Sequence, residues 1–293
     1  MLRHLLRTVN LFDTAKNTLF LCTLAACQGQ RGGDGAQQVG GPGGLVYYES
    51  YDPRSLDPAL STDVPTGEMV TLLFDGLTQF NADGELLPAL SDRWTADRTG
   101  QRYVFHLRSG VAFHDGQPFV AADVQRSFRR VLAPGTRGGR VWPLLPIAGA
   151  QDYADGRARD ISGITLLGDT AVAFVLTEPL AIFPTFLAMP AAAIVPPSAG
   201  PELAQHPVGT GPWRFVRWDH DEVLRFAKNE SYWGGAPLAE SLAVRIVPEP
   251  FTRVAEFLAG RLSVAEIPFG EIAKWEREHP DWLRRKPALR DIY

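Results

Sequence analysis

The order of apolar and polar positions between residues 45 and 132 predicts short strands broken by turns, with two helices among them. Alternation predicts a strand over 45–51, and apolar residues at helical spacing predict a helix within 67–77. A second, amphipathic helix is predicted over 121–132. Turn pairs at Asp83-Gly84 and Thr99-Gly100 separate further short strands within 80–87, 93–95 and 102–107.

The second half of the chain shows the same mixture of elements. A loop rich in Gly, Arg and Pro covers 133–146, and prolines divide the apolar stretch 179–201 so that it cannot form one long helix. Strands are predicted near 161–167, 171–176, 213–218, 222–227, 242–247 and 263–267, and helices near 250–260 and 270–278. Because hairpins alternate irregularly with helices, the pattern favours a mixed α+β fold over a regular doubly wound one.

The first 44 residues differ from the rest of the chain. Arg and Lys residues precede a short apolar run that ends in Leu24-Ala25-Ala26-Cys27, a sequence that resembles a bacterial lipobox. This pattern predicts a lipoprotein signal over 1–27, with Cys27 as the lipidated residue. The segment 28–44 is nearly devoid of apolar side chains and is predicted to be a flexible tether. An ordinary N-terminal helix is the alternative, and Asp13 is unusual for a signal.

Composition and charge narrow the class of protein. The 293 residues are 45% hydrophobic and 21% charged, which excludes a disordered or fibrous chain and gives room for about two domains. The net charge of −4 gives no indication of a nucleic-acid surface. The only cysteines are Cys22 and Cys27, so the rest of the chain has no disulfide framework, no thiolate metal site and no cysteine nucleophile.

Enzyme motifs are missing from the sequence. It contains no Gly-x-Ser-x-Gly elbow, no His-Glu-x-x-His pair and no phosphate-binding loop, so we expect no enzyme. The one dense group of possible metal ligands is Asp219-His220-Asp221-Glu222, which lies between two predicted strands. A solvated hairpin turn is the favoured interpretation of this group, and we expect no metal and no cofactor.

Three stretches, taken in order, resemble a known family. The first comprises Ser55-Leu56-Asp57-Pro58 and Leu73-Phe74-Asp75-Gly76-Leu77. The second runs from Tyr103 through His114-Asp115-Gly116 to Ala121-Ala122-Asp123-Val124, and the third comprises Pro207-Val208-Gly209-Thr210-Gly211-Pro212-Trp213 and Asn229-Glu230-Ser231-Tyr232-Trp233-Gly234-Gly235. In order and spacing the chain from about residue 45 onward resembles the extracytoplasmic solute-binding proteins of peptide-type ABC transporters, the oligopeptide, dipeptide and nickel-binding group.

The resemblance implies a periplasmic-binding-protein-like type II lobe with an inserted subdomain. Lobe I would comprise 45–75 and 200–293, and the subdomain 76–199. Family members are considerably longer, so we expect the C-terminal second lobe to be missing. Two positions depart from the family pattern, since Val120 replaces a helix-capping Thr and Ser263 replaces an Asp.

The resemblance also implies six solute-binding positions: Thr62, Asp63, Val64, Trp142, Thr210 and Arg290. The first three would line the cleft beside a peptide backbone, and Thr210 would face them from the Gly-Thr-Gly loop. Trp142 would supply apolar cover and Arg290 would meet a carboxylate or the peptide main chain. For Asp63 and Arg290 a solvated surface charge is the alternative.

The function that the resemblance implies is binding of a short peptide or other small solute, and its delivery to an ABC permease in the cytoplasmic membrane. The protein would be lipid-anchored on the periplasmic or extracellular face of that membrane. Three alternatives stay open: a truncated or divergent lipoprotein that acts as a tethered interaction module, a secreted hydrolase, and a nickel- or haem-type binder of the same fold.

Overall fold

The computed structural model describes residues 43–283 except 137 and 139, and it shows a mixed α+β protein, as the sequence predicts. Cys27 and Arg290, together with the predicted signal and tether up to residue 42, lie outside the described residues. The strands are β1 Leu45–Glu49, β2 Thr78–Phe80, β3 Leu86–Pro88, β4 Ser91–Ala96, β5 Arg102–Leu107, β6 Ile164–Leu166, β7 Ala171–Val175, β8 Trp213–Asp219, β9 Val223–Lys228 and β10 Ser241–Ile246. The α-helices are α1 Val64–Leu73, α2 Ala121–Leu132, α3 Ala150–Ala154, α4 Phe183–Phe186, α5 Pro250–Leu258 and α6 Ile272–Glu278.

The strands form two four-stranded sheets and a separate hairpin. The first sheet has the order β1-β10-β9-β8, and β1 runs parallel to β10 with Leu45 opposite Leu242, while its other pairs are antiparallel. The second sheet has the order β4-β5-β7-β6 and is antiparallel throughout. β2 and β3 form the hairpin.

The two largest of three apolar clusters in the described part of the chain contain side chains of these sheets. The larger core contains side chains of the second sheet and α2, with Phe105, Phe128 and Phe174 fully buried. The smaller core contains side chains of α1 and the first sheet, among them Leu73 and Val244. Burial of these side chains is the main stabilising term of each half of the described chain.

Helix α1 begins and ends at points that local chemistry explains. Asp63 is its N-cap, and the carboxylate Oδ1 accepts the Thr66 backbone N–H at 2.9 Å. The helix ends at Leu73, earlier than the predicted 77, because the backbone is already extended at Phe74. Beyond it the chain packs so tightly that a Cβ on Gly76 would lie 2.2 Å from the Leu187 carbonyl oxygen.

Helix α2 has the predicted bounds despite its weak cap. Val120 stands at the N-cap and offers no side-chain acceptor. The Asp123 carboxylate nevertheless accepts the Val120 backbone N–H at 2.9 Å, which is one half of a reciprocal capping box.

The strand predicted over 263–267 is wrong, since this segment forms no ladder. Ser263 alone pairs with the outer edge of β1: its backbone N–H donates to the Val46 carbonyl at 2.7 Å and its Oγ accepts the Val46 N–H at 2.9 Å. Pro268 follows soon after and has no N–H with which to extend the pairing. This serine therefore covers part of an edge that would otherwise be open.

Candidate functional site

The segment Thr62-Asp63-Val64 follows the 3-10 helix Pro58–Leu60 and includes the N-cap and the first residue of α1. Thr62 and Asp63 are partly exposed, and Val64 is 45% exposed. None of the three backbone N–H groups donates to another described residue. N–H groups at the start of a helix have no intrahelical acceptor, and such main-chain donors can bond the carbonyls of an extended peptide.

The loop after α2 bonds to this segment through one side chain. Arg140 donates from Nη2 to the Thr62 carbonyl oxygen at 2.9 Å. Two residues further on, Trp142 is 47% exposed and packs edge-on against Phe186, with 5.0 Å between ring centroids. We call the surface formed by Thr62, Asp63, Val64, Arg140 and Trp142 the Thr62–Trp142 face.

Thr210 lies elsewhere. Its side chain is 1% exposed, and its hydroxyl donates to Asp75 Oδ2 at 2.6 Å. The Gly-Thr-Gly loop packs on the C-terminal end of α1, where the Gly211 N–H donates to the Leu73 carbonyl at 2.9 Å. Thr62–Val64 stand at the other end of this ten-residue helix, about 15 Å away, so in the structure Thr210 does not face them. Its role as a solute contact stays a prediction.

Asp75 is the centre of a buried polar cluster around Thr210. Besides the Thr210 hydroxyl, its carboxylate accepts the Tyr232 hydroxyl at 3.2 Å and the Trp233 indole N–H at 3.1 Å. Burial raises the pKa of the Tyr232 hydroxyl well above its ordinary value, and the charge of nearby Arg108 acts in the opposite direction. Three donors satisfy the carboxylate, so the cluster is a positioning element in which Tyr232 and Trp233 anchor packing.

His114, from the second of the three family-like stretches, hydrogen-bonds the Gly-Thr-Gly loop that carries Thr210. The Gly209 N–H donates to His114 Nδ1 at 3.2 Å, and His114 Nε2 lies 2.9 Å from the Gly211 carbonyl oxygen. With Nδ1 placed to accept from Gly209, Nε2 is the ring nitrogen placed to donate to the Gly211 carbonyl. His114 and Gly209 are 95 positions apart, so hydrophobic periodicity along the chain does not reveal this contact.

The acidic group at 219–222 forms the turn between β8 and β9, as expected. Asp52 stabilises this turn through two hydrogen bonds. Its Oδ2 accepts the Asp221 N–H at 2.8 Å, and its Oδ1 accepts the Trp218 indole N–H at 3.2 Å. Within the part of the chain that the structure describes, no group of three or more His, Cys, Asp or Glu side chains could hold a metal ion. No helix in that part has the length and hydropathy that a membrane span requires.

Comparison with known proteins identifies the family of the chain. Residues 85–291 match the profile described as "Bacterial extracellular solute-binding proteins, family 5 Middle". The chain is 31% identical over 245 residues to the glutathione-binding protein of Pectobacterium atrosepticum. This alignment covers 82% of this chain and 45% of that protein. It is 30% identical over 265 residues to the dipeptide-binding protein of Escherichia coli, with coverage of 84% and 49%.

Solved structures show the same fold. The murein tripeptide binding protein of Escherichia coli superposes with a TM-score of 0.75 at 26% identity, over 80% of this chain and 48% of that one. Its unliganded open form, described as periplasmic, gives 0.74 at 25% identity. The chain therefore spans about half the length of the curated relatives and structures that it matches.

Proposed function

Since the chain belongs to family 5 of the bacterial extracellular solute-binding proteins, we propose that it binds a short peptide or a similar small solute on the Thr62–Trp142 face. The observation that carries this proposal is the run of backbone N–H groups without a described acceptor at residues 62–64, which Arg140 connects through the Thr62 carbonyl to the loop that carries the half-exposed Trp142. Relatives named for dipeptides, for di- and tripeptides and for glutathione support a peptide-like solute.

Binding at this face would follow simple chemistry. The N–H groups of Thr62, Asp63 and Val64 would donate to main-chain carbonyls of the solute, which every peptide carries. Trp142 would cover apolar parts of the solute, while water fills the space around side chains of different size. Such recognition requires no bond to break, so the proposed activity is binding without catalysis. Arg290 is retained as a proposed further contact.

The proposal includes two partners. A permease of the ABC type would receive the solute, and a lipid on Cys27 would hold the protein at the membrane. The two apolar cores support a division into lobe I, 45–75 and 200–293, and a subdomain, 76–199, because the smaller core draws mainly on the first set and the larger core on the second.

Peptide binding can be tested by thermal shift. We expect short peptides to raise the melting temperature of the full chain, because a ligand that binds only the folded state stabilises it. Trp142→Ala should weaken binding at least about fivefold through lost contact area. Trp282→Ala is the matched control, since Trp282 is 40% exposed and also packs edge-on against a phenylalanine, Phe257. Unchanged melting temperatures with a broad di- and tripeptide set would contradict the proposal.

The lipid anchor needs a separate experiment. In a bacterial host, the wild-type chain should incorporate a labelled fatty acid and partition into detergent, and Cys27→Ala should do neither. Cys22→Ala is the control because the lipobox resemblance ends at Cys27. Equal labelling of wild type and Cys27→Ala would show that Cys27 is not the lipidated residue.

A further inference from the structure

Arg140 is the cation of the Thr62–Trp142 face and has an unusual environment for an arginine in this part of the fold. Three arginines on the preceding helix α2 are each paired with an aspartate: Arg126 with Asp123, Arg129 with Asp160 and Arg130 with Asp57. Arg140 is exposed, and among the described residues its recorded hydrogen bond goes to a backbone carbonyl, that of Thr62. No carboxylate of the described chain lies within ion-pair distance of it.

The nearest acidic side chain in the face does not neutralise this charge. Asp63 is turned into the protein: its side chain is 12% exposed, and Oδ1 accepts the Thr66 N–H that opens α1. Its other oxygen, Oδ2, lies 4.0 Å from Nε of Arg54, whose side chain is 79% exposed. Oδ2 is buried and accepts no hydrogen bond among the described residues, and Asp63 forms no ion pair with Arg140, which keeps its own charge.

The face therefore offers donors and has few free acceptors. The Thr62 carbonyl already accepts from Arg140, while the N–H groups of residues 62–64 and most of the guanidinium N–H groups of Arg140 point to no described partner. A guanidinium binds a carboxylate through two parallel N–H···O bonds. The single bond to Thr62 holds Arg140 in place and leaves other donors available for such a pair.

We propose that Arg140 is a specificity-determining residue that makes the face prefer solutes carrying a carboxylate side chain next to the backbone stretch bound at Thr62–Val64. The inference rests on the proposed function, because it names the class of peptide that the same face selects. Trp142 would lie beside the aliphatic part of the acidic side chain, and Arg140 would bind its carboxylate.

The test measures binding of three peptides of matched size, Ala-Glu-Ala, Ala-Gln-Ala and Ala-Lys-Ala, to the full chain by isothermal titration calorimetry. We expect wild type to bind Ala-Glu-Ala about three- to tenfold more tightly than Ala-Gln-Ala, and Ala-Lys-Ala more weakly than either. Because exposed charges are screened by salt, the preference should shrink when sodium chloride is raised from about 0.05 to 0.5 M.

Variants assign the effect to Arg140. Arg140→Gln should bring the ratio of Ala-Glu-Ala affinity to Ala-Gln-Ala affinity close to one, a comparison made within the variant because Arg140 is itself part of the face. Arg140→Lys should keep part of the preference, since the charge remains but the paired geometry is lost. Arg98→Gln is the control, because Arg98 is exposed and lies in the distant turn between β4 and β5. Circular dichroism of each variant would confirm that it is folded.

The outcomes separate the two proposals. Equal binding of the three peptides by wild type would overturn the preference and leave peptide binding intact. A preference that survives unchanged in Arg140→Gln would overturn the assignment to Arg140. Failure of all three peptides to bind wild type, under conditions in which the chain is folded, would overturn the proposed function and this inference with it.

Discussion

The guanidinium of Arg130 binds the carboxylate of Asp57 through two hydrogen bonds, with 2.7 Å between Nη1 and Oδ1. The two side chains are 23% and 6% exposed, so the pair is largely removed from water. Arg130 belongs to α2 of the larger core, whereas Asp57 precedes the 3-10 helix that leads to Thr62 and also accepts the Ala59 N–H at 3.0 Å. One ion pair therefore fixes the candidate face relative to α2.

Replacing Arg130 by Met should destabilise the protein strongly. The change leaves the Asp57 charge buried without its partner, and removing one partner of a buried ion pair lowers the free energy of unfolding by about 3–5 kcal/mol. Because Arg130 is partly exposed, we expect a loss near the lower end of this range. Urea unfolding measures the difference. Arg129→Met is the control, because the Arg129–Asp160 pair is 37% and 50% exposed and should contribute less than about 1 kcal/mol. Similar losses in both variants would contradict the expectation.

Thr210→Val should also lower stability, because it removes a hydroxyl donor from the buried Asp75 carboxylate while keeping the shape of the side chain. Loss of a hydrogen bond to a buried charged group costs about 1.5–3 kcal/mol. Denaturant unfolding of Thr165→Val, at an exposed position of β6, gives the background effect of the same substitution. If Thr210→Val were as stable as wild type, the Asp75 cluster would not need this donor.

Alanine at Gly209 or Gly211 should be among the most damaging single changes. A Cβ on Gly209 would lie 2.0 Å from the Leu73 carbonyl oxygen, and one on Gly211 would lie 2.5 Å from that of Leu72. These neighbours are backbone atoms and cannot rotate away, so we expect a loss of at least about 3 kcal/mol or failure to accumulate folded protein. Gly135→Ala, with no atom within 4 Å of its Cβ, should accumulate normally in the same expression test.

The sequence predicts local features of the fold well: where a helix lies, where a turn lies and where the backbone can approach closely. Local patterns determine the elements: the amphipathic spacing within 121–132 gives α2 at the predicted bounds, and the turn residues at 219–222 give a turn between strands. The two glycines of the Gly-Thr-Gly loop allow close backbone approach, and the structure shows such an approach, to the end of α1. The direction of approach, toward α1 and away from the solute face, depends on tertiary packing.

The parts that sequence reasoning missed depend on contacts between distant residues. Arg140 contacts Thr62 across 78 positions, and Tyr232 contacts Asp75 across 157. The strand predicted over 263–267 fails for a related reason: alternation is present, but only Ser263 finds an edge with which to pair. The family resemblance indicated candidates such as Thr62 and Trp142, whereas the bond between Arg140 and Thr62 forms only in the folded chain.

Ser263→Ala should loosen the edge of β1 with a small effect on global stability. The Val46 N–H loses the Oγ acceptor, which costs about 1 kcal/mol, and its amide should exchange with solvent faster. Ser263→Asp should restore protection, because a carboxylate can accept the same N–H. The exposed Ser109 supplies the control substitution, Ser109→Ala. Faster exchange of Val46 in Ser263→Asp as well would indicate that the hydroxyl geometry is specifically required.

Acid should weaken the protein through Glu256. Hydrogen bonds from Arg261, and then those from Arg245, lower the pKa of the Glu256 carboxyl from its ordinary 4.5 to about 2. The bonds run from Arg261 Nη2 to Oε1 at 2.7 Å and from Arg245 Nη1 to Oε2 at 2.6 Å. Because the folded-state pKa is depressed, this group's contribution to stability is fully present above about pH 4.5 and is lost as the pH falls toward 2.

Glu256→Gln isolates this contribution. The difference in unfolding free energy between wild type and variant should be about 1–2 kcal/mol at pH 6, because the half-exposed Arg261 leaves the pair partly screened. That difference should shrink steadily between pH 4.5 and pH 2, since protonated Glu256 no longer pairs with the two guanidinium groups. Glu278→Gln is the control, because Glu278 is exposed and has no arginine partner among the described residues. A difference for Glu256→Gln that stays constant over this pH range would show that the two arginines do not stabilise the ionised carboxylate.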